Sequence, residues 1–205
     1  MTGIRGYGIA VALVLALSTA SFAGIVGNAV VDRPLADGAW KINFIDLDLV
    51  FPEAGRIDSW SIYGEASGDL GLQVYRHDTG NDYLLVGENL VSTDGTGLQA
   101  FTIAPSDRIL VEAGDIIGWR FEGSSLVIGQ GVIDYTNSGS AIRHTIYPNS
   151  NPTVGGSLTF AQSGNRTYSI AADYSSVPEP ASVTLLACGL GLLAWRVRRR
   201  RKSAV

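Results

Sequence analysis

Short segments in which apolar and polar residues alternate recur between residues 24 and 176. This two-residue period predicts half-buried β-strands, and the segments lack the 3.6-residue apolar repeat of a helix. Leu70, Leu72 and Val74 share one face of such a strand, and the most regular alternation runs from Thr167 to Tyr174. Clusters of Gly, Asn, Asp, Ser and Pro separate the segments. The other predicted strands are 40–51, 57–64, 83–87, 98–104, 108–111, 115–121, 131–135, 141–147 and 153–160.

About ten short strands without intervening helices are typical of two antiparallel sheets packed face to face. We therefore predict an all-β fold with one domain over residues 24–176, a two-sheet β-sandwich of the jelly-roll type. A chain of this length can bury a sizeable core. The predicted core residues are Trp60, Ile62, Leu72, Val74, Phe101, Ile103, Ile117, Trp119, Phe121, Tyr168 and Ile170.

The last part of the chain, residues 177–205, has a different pattern. The segment Val177-Pro178-Glu179-Pro180 precedes an apolar run over 181–197, in which Arg196 is the only charged residue. As a helix this run is about 25 Å long, close to the hydrocarbon thickness of a bilayer, and we predict that it spans the membrane. The basic end at 196–202 resists translocation, which predicts a cytoplasmic C-terminus and a body outside. Its basic residues are Arg196, Arg198, Arg199, Arg200, Arg201 and Lys202.

The two prolines keep the peptide before the helix open. Pro180 can occupy the first turn of a helix, whereas Pro178 favours an extended chain. The order of Pro-Glu-Pro motif, short apolar helix and Arg-rich end resembles the PEP-CTERM sorting signal of Gram-negative bacteria. The resemblance implies recognition by exosortase, an integral membrane cysteine protease that cuts near the motif. It further implies delivery from an inner-membrane-anchored precursor to the cell envelope or the exterior.

The N-terminus also indicates export. Arg5 supplies a positive charge, residues 9–17 form an apolar run, and Ser21-Phe22-Ala23 places small residues where a signal peptidase reads them. We predict a signal peptide over residues 1–23 with cleavage after Ala23, and Ala20 is the alternative site.

Charge and cysteine content narrow the range of partners. Residues 24–176 contain eight basic and 18 acidic side chains, so their net charge is near −10. An acidic body repels nucleic acid, and the basic end is a topology signal, so we expect no nucleic-acid partner. The only cysteine, Cys188, lies in the predicted membrane helix, and the body is therefore held together without disulfides.

The sequence contains few patterns of catalytic chemistry. His77 and His144 lack metal-site spacing, and there is no Gly-x-Ser-x-Gly motif. We therefore predict no catalytic residue, no cofactor and no enzymatic activity. Asp46 and Asp48 lie two residues apart on an extended segment and are candidate Ca²⁺ ligands, although their alternation with apolar residues also fits an ordinary half-exposed strand.

The predicted function is that of a structural or adhesive protein of the cell envelope or extracellular matrix. The first alternative is a lectin-like module that stacks sugars on aromatic side chains, with extracellular polysaccharide as its partner. The second is an exported polysaccharide-active enzyme with a carboxylate such as Asp46 or Asp134 in a groove. The candidate sugar-stacking residues are Trp40, Tyr63, Tyr75, Tyr83, Trp119, Tyr135 and Tyr147.

Overall fold

The computed structural model describes residues 23–39, 41–122, 131–146, 152–177 and 189–191. Residues 23–177 form one compact unit. Its strands are β1 Ala23–Gly27, β2 Leu35–Asp37, β3 Asn43–Val50, β4 Gly55–Gly64, β5 Gly68–Thr79, β6 Asp82–Thr93, β7 Gly97–Thr102, β8 Leu110–Val111, β9 Ile116–Phe121, β10 Ile133–His144, β11 Ser157–Thr159, β12 Gln162–Tyr168 and β13 Ile170–Ser176.

The strands form two antiparallel sheets, which confirms the all-β prediction. The larger sheet has the order β11-β6-β5-β9-β3-β10-β12, with β2 paired to β10. The smaller sheet has the order β1-β13-β4-β7, with β8 paired to β4. One core contains Trp60 of the smaller sheet together with Trp119 of the larger sheet. The predicted core residues are buried there, except that Phe101 is half-buried against it.

Residues 1–22 and 178–205 are not part of this compact unit. Within them the structure describes only a helical turn at 189–191, so the rest of the predicted membrane helix and residues 1–22 lie outside the described residues. Among the described residues, no helix has the length and apolar character needed to cross a membrane.

The segment from Thr167 to Tyr174, predicted as one strand, is divided between the two sheets at Ser169. Strand β12 ends before this residue in the larger sheet, and β13 begins after it in the smaller sheet. The Ser169 hydroxyl donates to the carbonyl of Val31 at 2.6 Å and accepts from Arg33 Nε at 2.7 Å. These tertiary contacts fix the point at which the chain changes sheets.

Two other predicted strands, 131–135 and 141–147, are joined in the single strand β10. Its pairing with β12 has a register shift between Thr136 and Ala141. Gly139 has a φ of 100° within this irregular segment, a conformation that favours glycine. The cluster of turn-forming residues therefore produces an irregularity within a strand, and the prediction of two strands was wrong.

A second apolar cluster lies on the outer face of the larger sheet. Phe160, which follows β11, packs edge-on against Tyr75 and Tyr83, with ring centroids 5.1 and 5.5 Å apart. Leu85 belongs to the same cluster. The centre of β5 is consequently buried on both faces, which local alternation in the sequence does not reveal.

Candidate functional sites

Both ends of the described body lie at one corner of the smaller sheet. Strand β1 pairs with β13, so that Ala23 lies opposite Ser175. One residue beyond β13, the Val177 amide donates to the Ala54 carbonyl at 3.1 Å. We call this region, formed by Ala23, Ala54 and Val177, the exit corner. The predicted signal-peptidase bond, between Ala23 and Gly24, lies within β1.

Close packing around Tyr174 holds the exit corner together. This side chain is buried, and its ring packs edge-on against Phe51 with centroids 5.3 Å apart. Gly24 and Gly55 leave room for it. A Cβ added at Gly24 would lie 2.5 Å from the Tyr174 ring, and one at Gly55 would lie 2.7 Å from the Ser175 carbonyl oxygen. The end of β13 is therefore fitted between β1 and β4.

The sorting-motif residues are only partly covered by the structure. Val177 is exposed, and its predicted neighbours Pro178, Glu179 and Pro180 lie outside the described residues. The basic residues of the topology signal also lie outside them; they are Arg196, Arg198, Arg199, Arg200, Arg201 and Lys202.

The candidate calcium ligands Asp46 and Asp48 differ in environment. Asp46 is fully buried, whereas Asp48 is exposed. Asp46 accepts hydrogen bonds from the Asp48 amide at 3.1 Å and from Asn28 Nδ2 at 3.4 Å. Asp48 accepts from the Ala141 amide at 2.9 Å. Both carboxylates thus bind donors of the chain itself, in a segment where the pairing of β3 with β9 is irregular.

Burial raises the pKa of Asp46 to about 6, against the lowering effect of its hydrogen bonds with Asp48, Ser140 and Asn28. An unperturbed Asp has a pKa near 3.9. The folded state therefore holds the proton of Asp46 more tightly than the unfolded state does. The contribution of this carboxyl to the free energy of unfolding is fully present below about pH 4 and is lost as the pH rises through 6.

We expect Asp46→Asn to flatten the pH dependence of stability. The free energy of unfolding of the wild-type fragment 24–177 should fall between about pH 4 and pH 6, and the variant should recover up to about 3 kcal/mol of this loss at pH 7.5. Urea unfolding at a series of pH values measures the effect. The same slope in the variant and the wild type would contradict this assignment.

A second buried carboxylate, Asp134, lies on β10. Its Oδ2 accepts from the Arg33 amide at 3.3 Å, and its Oδ1 has no hydrogen-bond partner among the described residues. Burial, together with the negative charges of Glu65 and Asp32, raises the pKa of this carboxyl to about 6 against the lowering effect of the Arg33 amide. Asp134 and Asp46 are the two acids suggested by the enzyme alternative, and each is bound to a different set of protein donors.

A polar network that the sequence did not predict lies on the outer face of the larger sheet. The Tyr75 hydroxyl donates to Gln73 Oε1 at 3.0 Å, and Gln73 Nε2 donates to Glu88 at 2.7 Å. Asn43 Oδ1 lies 3.3 Å from the same hydroxyl, and both Asn43 and Arg120 are buried. Burial raises the pKa of Glu88. Alternation along the sequence predicts a solvent-facing surface for such polar residues, and only their burial distinguishes this network from one.

Most candidate sugar-stacking aromatic residues pack against the protein. Trp119, Tyr75 and Tyr83 are buried, which removes their rings from any sugar-binding surface. The Tyr135 ring stacks on the Tyr168 ring, with centroids 5.1 Å apart. The Arg166 Cζ atom lies over the Tyr135 ring, 4.8 Å from its centroid. Tyr63 is half-buried, and the two remaining candidates lie outside the described residues; they are Trp40 and Tyr147.

The histidines have local structural partners. His77 Nε2 lies 3.2 Å from the Gly80 carbonyl, and His144 Nδ1 lies 3.1 Å from the Thr145 carbonyl. Within the described part of the chain, no group of three or more His, Cys, Asp or Glu side chains is arranged to hold a metal ion.

Comparison with protein families finds a C-terminal sorting motif, which implies an exported protein. Residues 176–202 match the family model of the PEP-CTERM protein-sorting motif, and this match supports a PEP-CTERM domain-containing protein. The motif implies processing by the membrane enzyme exosortase. Comparisons with curated proteins and with solved structures find no significant match.

Proposed function

We propose that the chain is the precursor of a non-enzymatic protein of the cell envelope or extracellular matrix. The match of residues 176–202 to the sorting motif is the observation that carries this proposal. In the proposed sequence of events, the signal peptide directs export and signal peptidase cuts after Ala23. The apolar helix 181–197 then holds the precursor in the inner membrane, with the basic end in the cytoplasm. Exosortase finally cuts near Pro178-Glu179-Pro180.

The body acts as a structural or adhesive β-sandwich in this proposal. Its two sheets enclose a core with large, fully buried side chains, among them Trp60 and Trp119, which supports a durable fold. Successive strands fall in different sheets, as β3, β4 and β5 do, and this arrangement supports the jelly-roll type. The carboxylates of Asp46 and Asp48 are engaged in internal hydrogen bonds, which supports a structural role for them.

Cell fractionation and assays of polysaccharide binding and hydrolysis test this function. We expect the mature body to fractionate with the envelope or matrix of the native bacterium, and the purified fragment 24–177 to release no reducing sugar from matrix polysaccharide. Recovery of the body in the cytoplasm would contradict the proposal. Selective binding on a glycan array would instead support the lectin-like alternative, and hydrolysis of polysaccharide would support the enzyme alternative.

A further inference from the structure

The exit corner leaves almost no free chain between the folded body and the sorting motif. Ser176 of β13 pairs with Gly55 of β4, and the hydrogen bond from Val177 to Ala54 continues this pairing up to the residue before Pro178. On the other side, the apolar run begins at Ala181. Four residue steps separate it from Val177, a distance of at most about 14 Å when fully extended.

We propose that the end of β13, residues 175–177, controls cleavage of the sorting tail, and that it must detach from Ala54–Arg56 before exosortase can act on the folded precursor. This inference rests on the proposed exosortase processing. A protease commonly binds its substrate as an extended chain through main-chain hydrogen bonds. At the exit corner, those groups are already paired with β4, because Ser175 and Ser176 lie opposite Arg56 and Gly55.

Local opening of a strand end therefore precedes cleavage. Terminal segments open at much lower free-energy cost than the whole domain. When opening and closing are fast, the cleavage rate follows the population of the open form. The sheet then works as an autoinhibitory contact, and its local stability determines how rapidly the tail is removed.

Gly55 offers a direct way to weaken this contact. A Cβ at this position would lie 2.6 Å from the Tyr174 ring and 2.7 Å from the Ser175 carbonyl oxygen, so Gly55→Ala forces β13 away from β4. Gly164→Ala is the matched control. A Cβ added at Gly164 would lie 3.8 Å from the Ile142 side chain, an ordinary van der Waals contact. The φ of Gly164 is not positive, so alanine fits its backbone conformation.

The experiment follows tail removal from the full-length precursor in the native bacterium by pulse-chase labelling and mass spectrometry of the mature C-terminus. We expect Gly55→Ala to shorten the processing half-time several-fold, with Gly164→Ala unchanged. A Gly-Ser-Gly-Ser spacer inserted between Val177 and Pro178 should have the same accelerating effect. The same spacer between Gly95 and Thr96, in the turn between β6 and β7, is its control.

The outcomes separate this inference from the function on which it rests. If the wild type is processed and the spacer after Val177 leaves the rate unchanged, the inference is wrong while the proposed function stands. If the wild-type tail is not removed at all, the proposed processing fails. The spacer keeps the test valid if Gly55→Ala does not fold, because it leaves every contact of the sheet in place.

Discussion

Replacement of Pro178, Glu179 and Pro180 by alanine is expected to leave the full-length protein in the membrane, with its C-terminal tail attached. Alanine removes the fixed φ of both prolines and favours continuation of a helix through the motif. It also removes the carboxylate of Glu179. Exosortase would then lack both the extended peptide and the negative charge by which we expect it to recognise the motif. We expect processing to fall at least tenfold, as measured by mass spectrometry of the C-terminus after membrane fractionation.

A triple substitution elsewhere controls for a general effect on folding or export. Pro152-Thr153-Val154 precedes β11 and contains one proline, and Thr153 and Val154 are exposed. Alanine at these three positions should leave processing at the wild-type rate. Normal removal of the tail from the Pro178-Glu179-Pro180 variant would disprove the assignment of the motif, whatever the control shows.

The second large effect is expected in the core, where Trp60→Ala should lower the free energy of unfolding by about 3–5 kcal/mol. Trp60 is fully buried at the centre of β4, between Phe101 of β7 and Ala172 of β13. Its Nε1 donates to Asn89 Oδ1 at 3.0 Å. The substitution removes a large apolar side chain and deprives a buried amide oxygen of its donor. Urea unfolding of the fragment 24–177 measures the loss.

Two further variants serve as comparisons for Trp60→Ala, one with a smaller aromatic ring at the same position and one on the surface of the same sheet. Trp60→Phe keeps a six-membered aromatic ring but loses the pyrrole part of the indole and its hydrogen bond, and we expect a smaller loss of about 1–2 kcal/mol. Leu98→Ala is the surface control, because Leu98 lies on β7 of the same sheet and its side chain is 65% exposed. It should change the free energy of unfolding by less than about 0.5 kcal/mol. A similar loss for Trp60→Ala and Leu98→Ala would contradict the observed packing.

Strands whose inward residues are all apolar were predictable because alternation is a local property. Ile62, Trp60 and Ile117 were assigned to the core on this basis, and all three are fully buried. Alternation failed where a second contact covered the other face of a strand. Gln73 and Tyr75 have polar groups and lie on the face opposite Leu72, yet both are buried.

The exposure of the candidate site residues was likewise decided by contacts between strands that are distant in the sequence. Asp46 and Asp48 share a spacing that suggests equal exposure, but an irregularity in the pairing of β3 with β9 buries one and exposes the other. A register shift depends on the partner strand, so it cannot be predicted from the sequence of one strand alone. The exit corner was equally hidden, because residues 23 and 175 are brought together only by the pairing of β1 with β13.

The sequence by itself determined the all-β class of the body and the presence of a sorting signal at residues 176–202. Both depend on neighbouring residues: strand alternation has a period of two, and the sorting signal is read as a continuous peptide. The tertiary structure alone decided that the chain changes sheets at Ser169, that Asp46 is buried, and that β13 holds the chain up to Val177. Each of these depends on contacts between residues distant in the chain, whose free energies decide which face is covered and where a strand ends.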